Sequence, residues 1–333
     1  ERNRVHEGQE LKILGAIGEG KAPTSVPSAA SCALEEILRQ GREMIQWDSP
    51  KPNQGDWKTG RGVAIIMQKS GIPDIDQANC MIKLESDGTF IVHSGGADIG
   101  TGLDTVVSKL SAEVLRCPLE DVHVISGDTD HALFDKGAYA SSGTCFSGNA
   151  ARMAAENLLK KIQFHGAQML GEPESDVTIV APGIVRGKKG EVTYAQIAHK
   201  AETGTGFGTL VATACYITPE FAFPYGANFA EVAVNTRTGE IRLDKFYALL
   251  DCGTPVNPDL ALGQIYGATL RAIGHSLMEE IIYDAGGHPV TRDLRSYGAP
   301  KIGDIPRDFR AVLVPSDDKV GPFGAKSISE IGV

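Results

Sequence analysis

Four glycines in eight positions, Gly95-Gly96-Ala97-Asp98-Ile99-Gly100-Thr101-Gly102, form the part of this 333-residue chain best equipped to hold a ligand. Glycine has no Cβ, so its backbone N–H can approach a bound group closely. A strand-like run, Thr89 to His93, leads into the loop, and an amphipathic helix with Leu103, Val107, Leu110 and Val114 on one face leads out. The N-terminus of such a helix favours an anion such as phosphate. The glycine offsets fit neither the dinucleotide fingerprint nor the P-loop, and no Gly-Lys-Ser/Thr follows. A tight strand-to-helix turn needs the same residues, so this loop alone leaves both readings open.

Three further stretches carry similar chemistry. Residues 137–150, from Gly137 through Ala138, Tyr139, Ala140, Ser141, Ser142 and Gly143 to Ala150, are small and hydroxyl-rich. They precede a periodic helix with Ala151, Ala154, Ala155, Leu158, Leu159 and Ile162 on one face. A serine-rich cap would look the same. Asp251-Cys252-Gly253-Thr254-Pro255-Val256-Asn257-Pro258 is a turn rich in helix breakers, followed by a helix pattern over Leu260 to Tyr283 that contains Gln264. The last stretch runs from Gly321 through Gly324-Ala325-Lys326 to Glu330. Asp98 and Asp128 are expected to tie down their own loops through Asx-type bonds. The histidines lack metal-ligand spacing, and His93 at a strand end reads as a core or supporting residue.

The elements that must position these loops are legible in outline. A helix is expected over Ser28 to Met44, then a Pro/Gly/Asn-rich connector from Trp47 to Trp57. Strands are expected at Gly62 to Met67, Cys80 to Leu84, Thr89 to His93 and Asp121 to Ile125, with Asp87-Gly88 as a hairpin turn. Residues 165–205 read as loop-rich, with a hairpin between Gly183 and Tyr194 and a flexible Thr203-Gly204-Thr205-Gly206. A long antiparallel hairpin pairs Asn228 to Asn235 with Ile241 to Leu250. Residues 1–58 read as a helical lead-in and 59–333 as one domain, with lobes of about 59–200 and 201–333.

A net charge of −10 and a pI of about 5.3 disfavour nucleic acid and anionic membranes as partners. The apolar runs are too short to span a bilayer. Glu1-Arg2-Asn3-Arg4 is charged with no apolar signal region behind it, so a cytoplasmic location is expected. The six cysteines (Cys32, Cys80, Cys117, Cys145, Cys215 and Cys252) show no zinc or iron–sulfur spacing and are expected to be mostly buried.

Taken in order, the motifs resemble those of the xanthine dehydrogenase family of molybdenum hydroxylases. The glycine loop at 95–102 is similar to that family's first cofactor loop. Gly127-Asp128-Thr129-Asp130, Tyr139-Ala140-Ser141 and Gly148-Asn149-Ala150 are similar to the second. Asp251-Cys252-Gly253, Asn257-Pro258 and Gly263-Gln264-Ile265-Tyr266-Gly267-Ala268 are similar to the third, and Gly324-Ala325-Lys326 with Glu330 to the fourth.

The resemblance implies a mixed α/β, two-lobed, second molybdenum-cofactor-binding domain. It also implies molybdenum carried by molybdopterin cytosine dinucleotide, with a sulfido or selenido ligand and no direct protein ligand to the metal. Cofactor contacts would come from Gly95, Gly96, Ala97, Gly100, Thr101, Gly102, Ala138, Tyr139, Ala140, Ser141, Ser142, Gly143 and Gln264. Glu330 would be the general base in the hydroxylation of an electron-poor ring carbon of a small heteroaromatic substrate, with water as oxygen source. Residue 1 aligns beyond the family's first molybdenum domain. That implies a larger molybdopterin subunit as partner, as in nicotinate dehydrogenase-like enzymes, with 2Fe-2S and FAD on further subunits. An aldehyde- or carbon monoxide-oxidising relative, or a structural subunit that only clamps the cofactor, are the alternatives. Three departures stand out. Thr101 occupies a position often held by glutamine, Ser142 one often held by arginine, and Ser327 and Ser329 replace glycines beside Glu330.

Overall fold

The computed structural model describes residues 5–11, 28–51, 53–203 and 208–332. The readings made for Glu1 to Arg4, Gly204 to Gly206 and Val333 lie outside them. In chain order the elements are α1 (Leu34–Met44), β1 (Trp57–Met67), β2 (Ala78–Leu84), β3 (Phe90–Ser94), α2 (Leu103–Leu115), β4 (Val122–Ile125) and α3 (Gly143–Leu170). They continue with β5 (Thr178–Val180), β6 (Ile184–Arg186), β7 (Glu191–Thr193), α4 (Tyr194–Thr203), β8 (Val211–Tyr216), β9 (Tyr225–Asn235) and β10 (Ile241–Asp251). The last are α5 (Pro258–Leu277), α6 (Leu294–Tyr297) and β11 (Asp308–Leu313).

One four-stranded sheet has the order β4-β3-β2-β8. Its two central strands alternate strictly: Ala78, Cys80, Ile82 and Leu84 of β2 and Phe90 and Val92 of β3 are buried. Side chains at i and i+2 share a face, and this face packs on α2 and α3 in one core with Val107, Leu115, Leu158 and Ile162. α3 presents Ala150, Ala151, Ala154 and Ala155 there, which lets its backbone lie close to the sheet. Each fully buried Leu, Ile or Phe contributes about 1.5–3 kcal/mol. β3 and β4 are parallel, with α2 as their crossover. The glycine loop therefore leaves β3 at its carboxyl end.

The second sheet has the order β1-β9-β10-β11. β9 and β10 form the expected hairpin, and β10 and β11 are parallel with α5 between them. α1 covers this sheet through Ile37, and Ile45 just past its end joins Ala227, Phe229, Tyr247 and Leu249 in the same cluster. A Cβ at Gly41 would lie 2.1 Å from the Phe229 ring, so only glycine fits where helix meets strand. Arg61 on β1 pairs with Glu231 at 2.6 Å, both nearly inaccessible, and donates to the Trp47 and Ser49 carbonyls (3.3 and 3.0 Å). That contact moors the connector to the sheet. A three-stranded sheet β5-β6-β7 includes the hairpin expected around residues 187–190.

Several expectations need correction. The division at about residue 200 does not separate the sheets: β1 pairs with β9 in the second sheet, and β8 pairs with β2 in the first. The lead-in is not apart from the domain either, because α1 packs on β9 and β10. α1 begins at Leu34, not Ser28, and α5 ends at Leu277, not Tyr283. α3 begins at Gly143, so Gly148-Asn149-Ala150 are helical and not part of a loop. Residues 194–203 form α4 where loop was expected. Of the cysteines only Cys80, Cys145 and Cys252 are buried. Cys32 and Cys117 are half-buried and Cys215 is exposed.

Candidate active site

Both parallel crossovers send their strand-to-helix turn to the same place. Ligands of open α/β sheets bind outside the carboxyl ends of strands, where such turns lie. The β3–α2 turn, the residues before α3, the side of α5 and the segment 327–330 line one cleft of about 200 Å³. Among the residues expected from sequence, Ala97, Thr101, Ala138, Tyr139, Ser141, Ser142, Gly143, Gln264 and Glu330 all line it. A smaller cavity of about 60 Å³ shares Thr101, Thr144 and Gln264 with it and adds Gly102, Cys252, Thr254 and Asn257. His93, half-buried, faces His131 with ring centroids 6.1 Å apart.

The other glycines do different work. A Cβ at Gly95 would lie 2.6 Å from the Leu133 carbonyl, and one at Gly96 would lie 2.7 Å from both Leu103 Cδ2 and Ser147 Oγ. These two are small because the chain packs against itself there, and neither lines the cleft. Gly100 (φ +97°) has open space where a Cβ would point. Ala140 sits behind the cleft, its carbonyl accepting from Gly71 N at 2.7 Å.

Asp98 behaves as an Asx anchor. Its Oδ1 accepts from Gly100 N (2.9 Å) and Gly102 N (3.1 Å), and its Oδ2 from Asp104 N (3.3 Å). Burial raises its pKa, but the bonds from Gly100, Asp104, Gly102 and Thr101 outweigh this and hold it below the ordinary value. The N-terminus of α2, expected to face an anionic ligand, is thus taken up by the chain's own carboxylate. The N-terminus of α3 is different. Ser142 sits at its cap position without a side-chain cap bond, and Gly143 and Thr144 of its first turn line the cleft. The residues before it are strained, with Ala140 at φ +50° and Ser141 at φ +55°. Tyr139 beside them has its pKa pushed up to about 12, by burial first and then by its bond to Asp76.

Glu330 is held from two sides. Ser141 Oγ donates to its Oε2 at 2.5 Å, and Gln68 Nε2 donates to the same oxygen. Next to it Ile331 is fully buried against Ala248, Leu250 and Ile265. Upstream, Lys326 and Asp251 form an inaccessible ion pair at 2.9 Å. Lys326 Nζ also donates to Ser31 Oγ (3.0 Å), and Asp251 accepts from Ala33 N (2.9 Å), Gly253 N (2.9 Å) and Ser316 Oγ (2.6 Å). A buried pair is tolerable when its remaining valences are filled in this way. The network joins α1, the 251–254 turn and the final segment. A Cβ at Gly253 would lie 2.0 Å from the Gly324 carbonyl, which makes that glycine obligatory. Ser327, a departure from the family pattern, is accommodated by Ser70, which bonds it at 2.9 and 3.0 Å. The Ser329 side chain lies outside the described ones. Sequence reasoning missed Gln68 and Ser70; the only local signal is two polar residues, two apart, directly after a strand.

The residues fit a long, polar, anionic ligand. The cleft combines hydroxyl and amide groups of Thr101, Ser141, Ser142, Thr144 and Gln264 with apolar walls from Ile99, Leu103, Val106 and Ile328. None of the described residues that line it is basic, so an anionic group there would be met by backbone and hydroxyl donors. Among the described residues no three His, Cys, Asp or Glu side chains gather into a metal site. At about 200 Å³ the cleft is smaller than enclosed sites for large ligands, which run to several hundred Å³.

Residues 40–306 match the model of the molybdopterin cofactor-binding domain. The chain is 89% identical over 333 residues to the "Probable hypoxanthine oxidase XdhD" of Escherichia coli (strain K12), covering 100% of itself and 35% of that protein. It is 31% identical over 337 aligned positions to the "Putative xanthine dehydrogenase molybdenum-binding subunit XdhA" of the same strain, covering 96% of itself and 44% of that chain. Among solved structures, the quinoline 2-oxidoreductase of Pseudomonas putida 86 superimposes with a TM-score of 0.75 at 26% identity, over 90% of this chain and 39% of that one. The chain thus spans between about a third and a half of these relatives. With fold, cleft and these matches in agreement, the chain belongs to the molybdopterin cofactor-binding domain of the xanthine dehydrogenase family of molybdenum hydroxylases.

Proposed function

We propose that this chain forms one wall of a molybdenum site that hydroxylates an electron-poor ring carbon of an N-heterocycle, with Glu330 as general base. The observation that carries the reading is that Glu330 is the one carboxylate among the described residues lining the cleft. The cofactor, a molybdopterin extended by cytosine dinucleotide, would be held by Thr101, Gly102, Gln264 and the uncapped first turn of α3 at Gly143 and Thr144. When bound it supplies a redox centre that activates water and takes up two electrons. Glu330 receives the proton that water must lose as it attacks, at Oε1, the oxygen not occupied by Ser141 and Gln68. Ser141 and Gln68 keep the carboxylate facing the cleft, and Ile328 with Leu103 and Val106 supply apolar walls beside it.

The relatives favour a purine as the first substrate to test: the 89% identical protein is named a hypoxanthine oxidase, and the structural relative acts on quinoline. A nicotinate-like ring is the second. Partners supplying iron–sulfur and FAD centres, and a larger molybdopterin-binding part, complete the reading. β1 is an edge strand with Val63, Ile65 and Met67 exposed, an apolar border of the kind a partner covers.

Glu330→Gln in the assembled enzyme tests the base. Molybdenum content is expected to stay unchanged while reduction by hypoxanthine slows by roughly 10²–10⁴-fold. The acidic limb of the rate–pH profile should disappear with it. A variant that keeps the wild-type rate and limb would leave the chain as a cofactor clamp.

A further inference from the structure

We propose that Gln68 is a positioning residue, which fixes the Glu330 carboxylate in its working orientation while Ser70 fixes the segment that carries it. The inference rests on the reading of Glu330 as base. It starts from the backbone beyond β1. There Gln68 N donates to the Pro224 carbonyl (3.3 Å) and Ser70 N to the Ala222 carbonyl (2.9 Å), so the chain stays extended past Met67. In extended chain alternate side chains share a side, and both residues reach the same target, residues 327–330.

Ser70 Oγ donates to Ser327 Oγ at 2.9 Å and accepts from Ser327 N at 3.0 Å, all of it buried. Gln68 Nε2 donates to Ser141 Oγ at 3.2 Å and to Glu330 Oε2. Ser141, in its strained left-handed conformation, completes a triangle with its 2.5 Å bond to the same carboxylate oxygen. Gln68 Oε1 is buried without a partner among the described residues. Burying an amide oxygen without a partner is costly, so packing alone does not account for glutamine here, whereas its donor end does. Glu330 is itself exposed on a flexible side chain. Without the amide its carboxylate would sample several rotamers, and a misplacement of about 1 Å in a reacting group can cost on the order of 10²-fold in rate.

The test uses the full-length assembled enzyme with hypoxanthine as probe. Gln68→Met keeps the volume and removes the donor. It should lower kcat by about tenfold with KM and molybdenum content unchanged, and a crystal structure of the variant should show the Glu330 carboxylate turned away from Ser141. On a Glu330→Gln background the same change should lower the rate no further, because two residues acting through one group are not additive. A Gln68→Met enzyme with wild-type kcat and an unmoved carboxylate overturns the inference and leaves the base in place. So does an equal loss on both backgrounds, which would mark a structural role. A Glu330→Gln enzyme of wild-type rate overturns the underlying reading instead.

Discussion

At the N-terminus of α2 the backbone donors of Gly100, Gly102 and Asp104 are all taken by Asp98, and the positive φ values fall on Gly100 and Gly102. At the N-terminus of α3 no side chain caps the first turn, and the positive φ values fall on Ala140 and Ser141, which are not glycines. Both turns border one cleft. The first is satisfied and relaxed by its own residues. The second carries about 1–3 kcal/mol of strain per residue and keeps its donors open. We propose that the open, strained turn is the one that meets the anionic part of the ligand, with the glycine-rich loop flanking it.

If that contrast holds, a negative charge at the second turn should do the most damage to binding. Thr144→Asp places a carboxylate in the first turn of α3, where the helix itself gains about 0.3–1 kcal/mol. An anionic cofactor would be repelled, and bound molybdenum should fall by about tenfold or more, equivalent to ~1.4 kcal/mol. Thr144→Asn, of similar shape and no charge, should retain it. Metal analysis of the purified proteins decides. Full occupancy in Thr144→Asp would move the anion site elsewhere.

The first turn should respond in stability and not in occupancy. Asp98→Ala removes three acceptor bonds at the start of α2 and should cost about 1–2 kcal/mol, read as a lower unfolding midpoint in denaturant. Molybdenum content in the folded variant should change less than in Thr144→Asp. The reverse order of effects would erase the distinction between the turns.

The contrast was only half legible in the sequence. Glycines, a strand run and the 3.6-residue period of Leu103, Val107 and Leu110 located the β3–α2 turn, and the long β9–β10 hairpin was equally plain. The start of α3 was not, because Gly143 to Asn149 are poor helix formers. The helix there is imposed from outside, by burial of Cys145 and Phe146 in the core and by Asn149, which donates to the Val320 carbonyl at 2.9 Å. The exchange of β1 and β8 between sheets joins residues more than 100 apart, and no local pattern records it. Motif order pointed to nine candidate residues that line one cleft. Gln68 and Ser70 lie in no motif, and they reach Glu330 and Ser327 respectively only because β1 pairs with β9.

The smallest expected effect is the one that separates the two turns by sign. Asp98 has a pKa below the ordinary carboxylate value, its hydrogen bonds outweighing burial. Its contribution to stability is therefore complete above about pH 4, the unfolded value, and fades as pH falls through the lower folded value. Asp135, at the root of the second turn, is shifted the other way. Burial raises its pKa, and the nearby charge of Asp76 adds to this, against the bonds from Gly137 N and Ser147 Oγ. Its ionisation works against the fold, and this cost sets in as pH rises above about 4. Asp135→Asn keeps an acceptor for Gly137 N, 2.8 Å away in the wild type, and removes the charge. At pH 7 it should be neutral or stabilising, on the order of 0.5 kcal/mol, whereas Asp98→Asn at pH 7 should destabilise. Toward pH 3 the Asp135 variant should converge on the wild type, because the raised carboxyl is then neutral, whereas the Asp98 variant should converge only below the depressed folded value. Denaturant unfolding of the three proteins at pH 7, 5 and the lowest pH at which they stay folded measures this. Equal losses for the two substitutions at pH 7 would mean that the second turn is held by its own carboxylate as the first is, and that it is not kept open for a ligand.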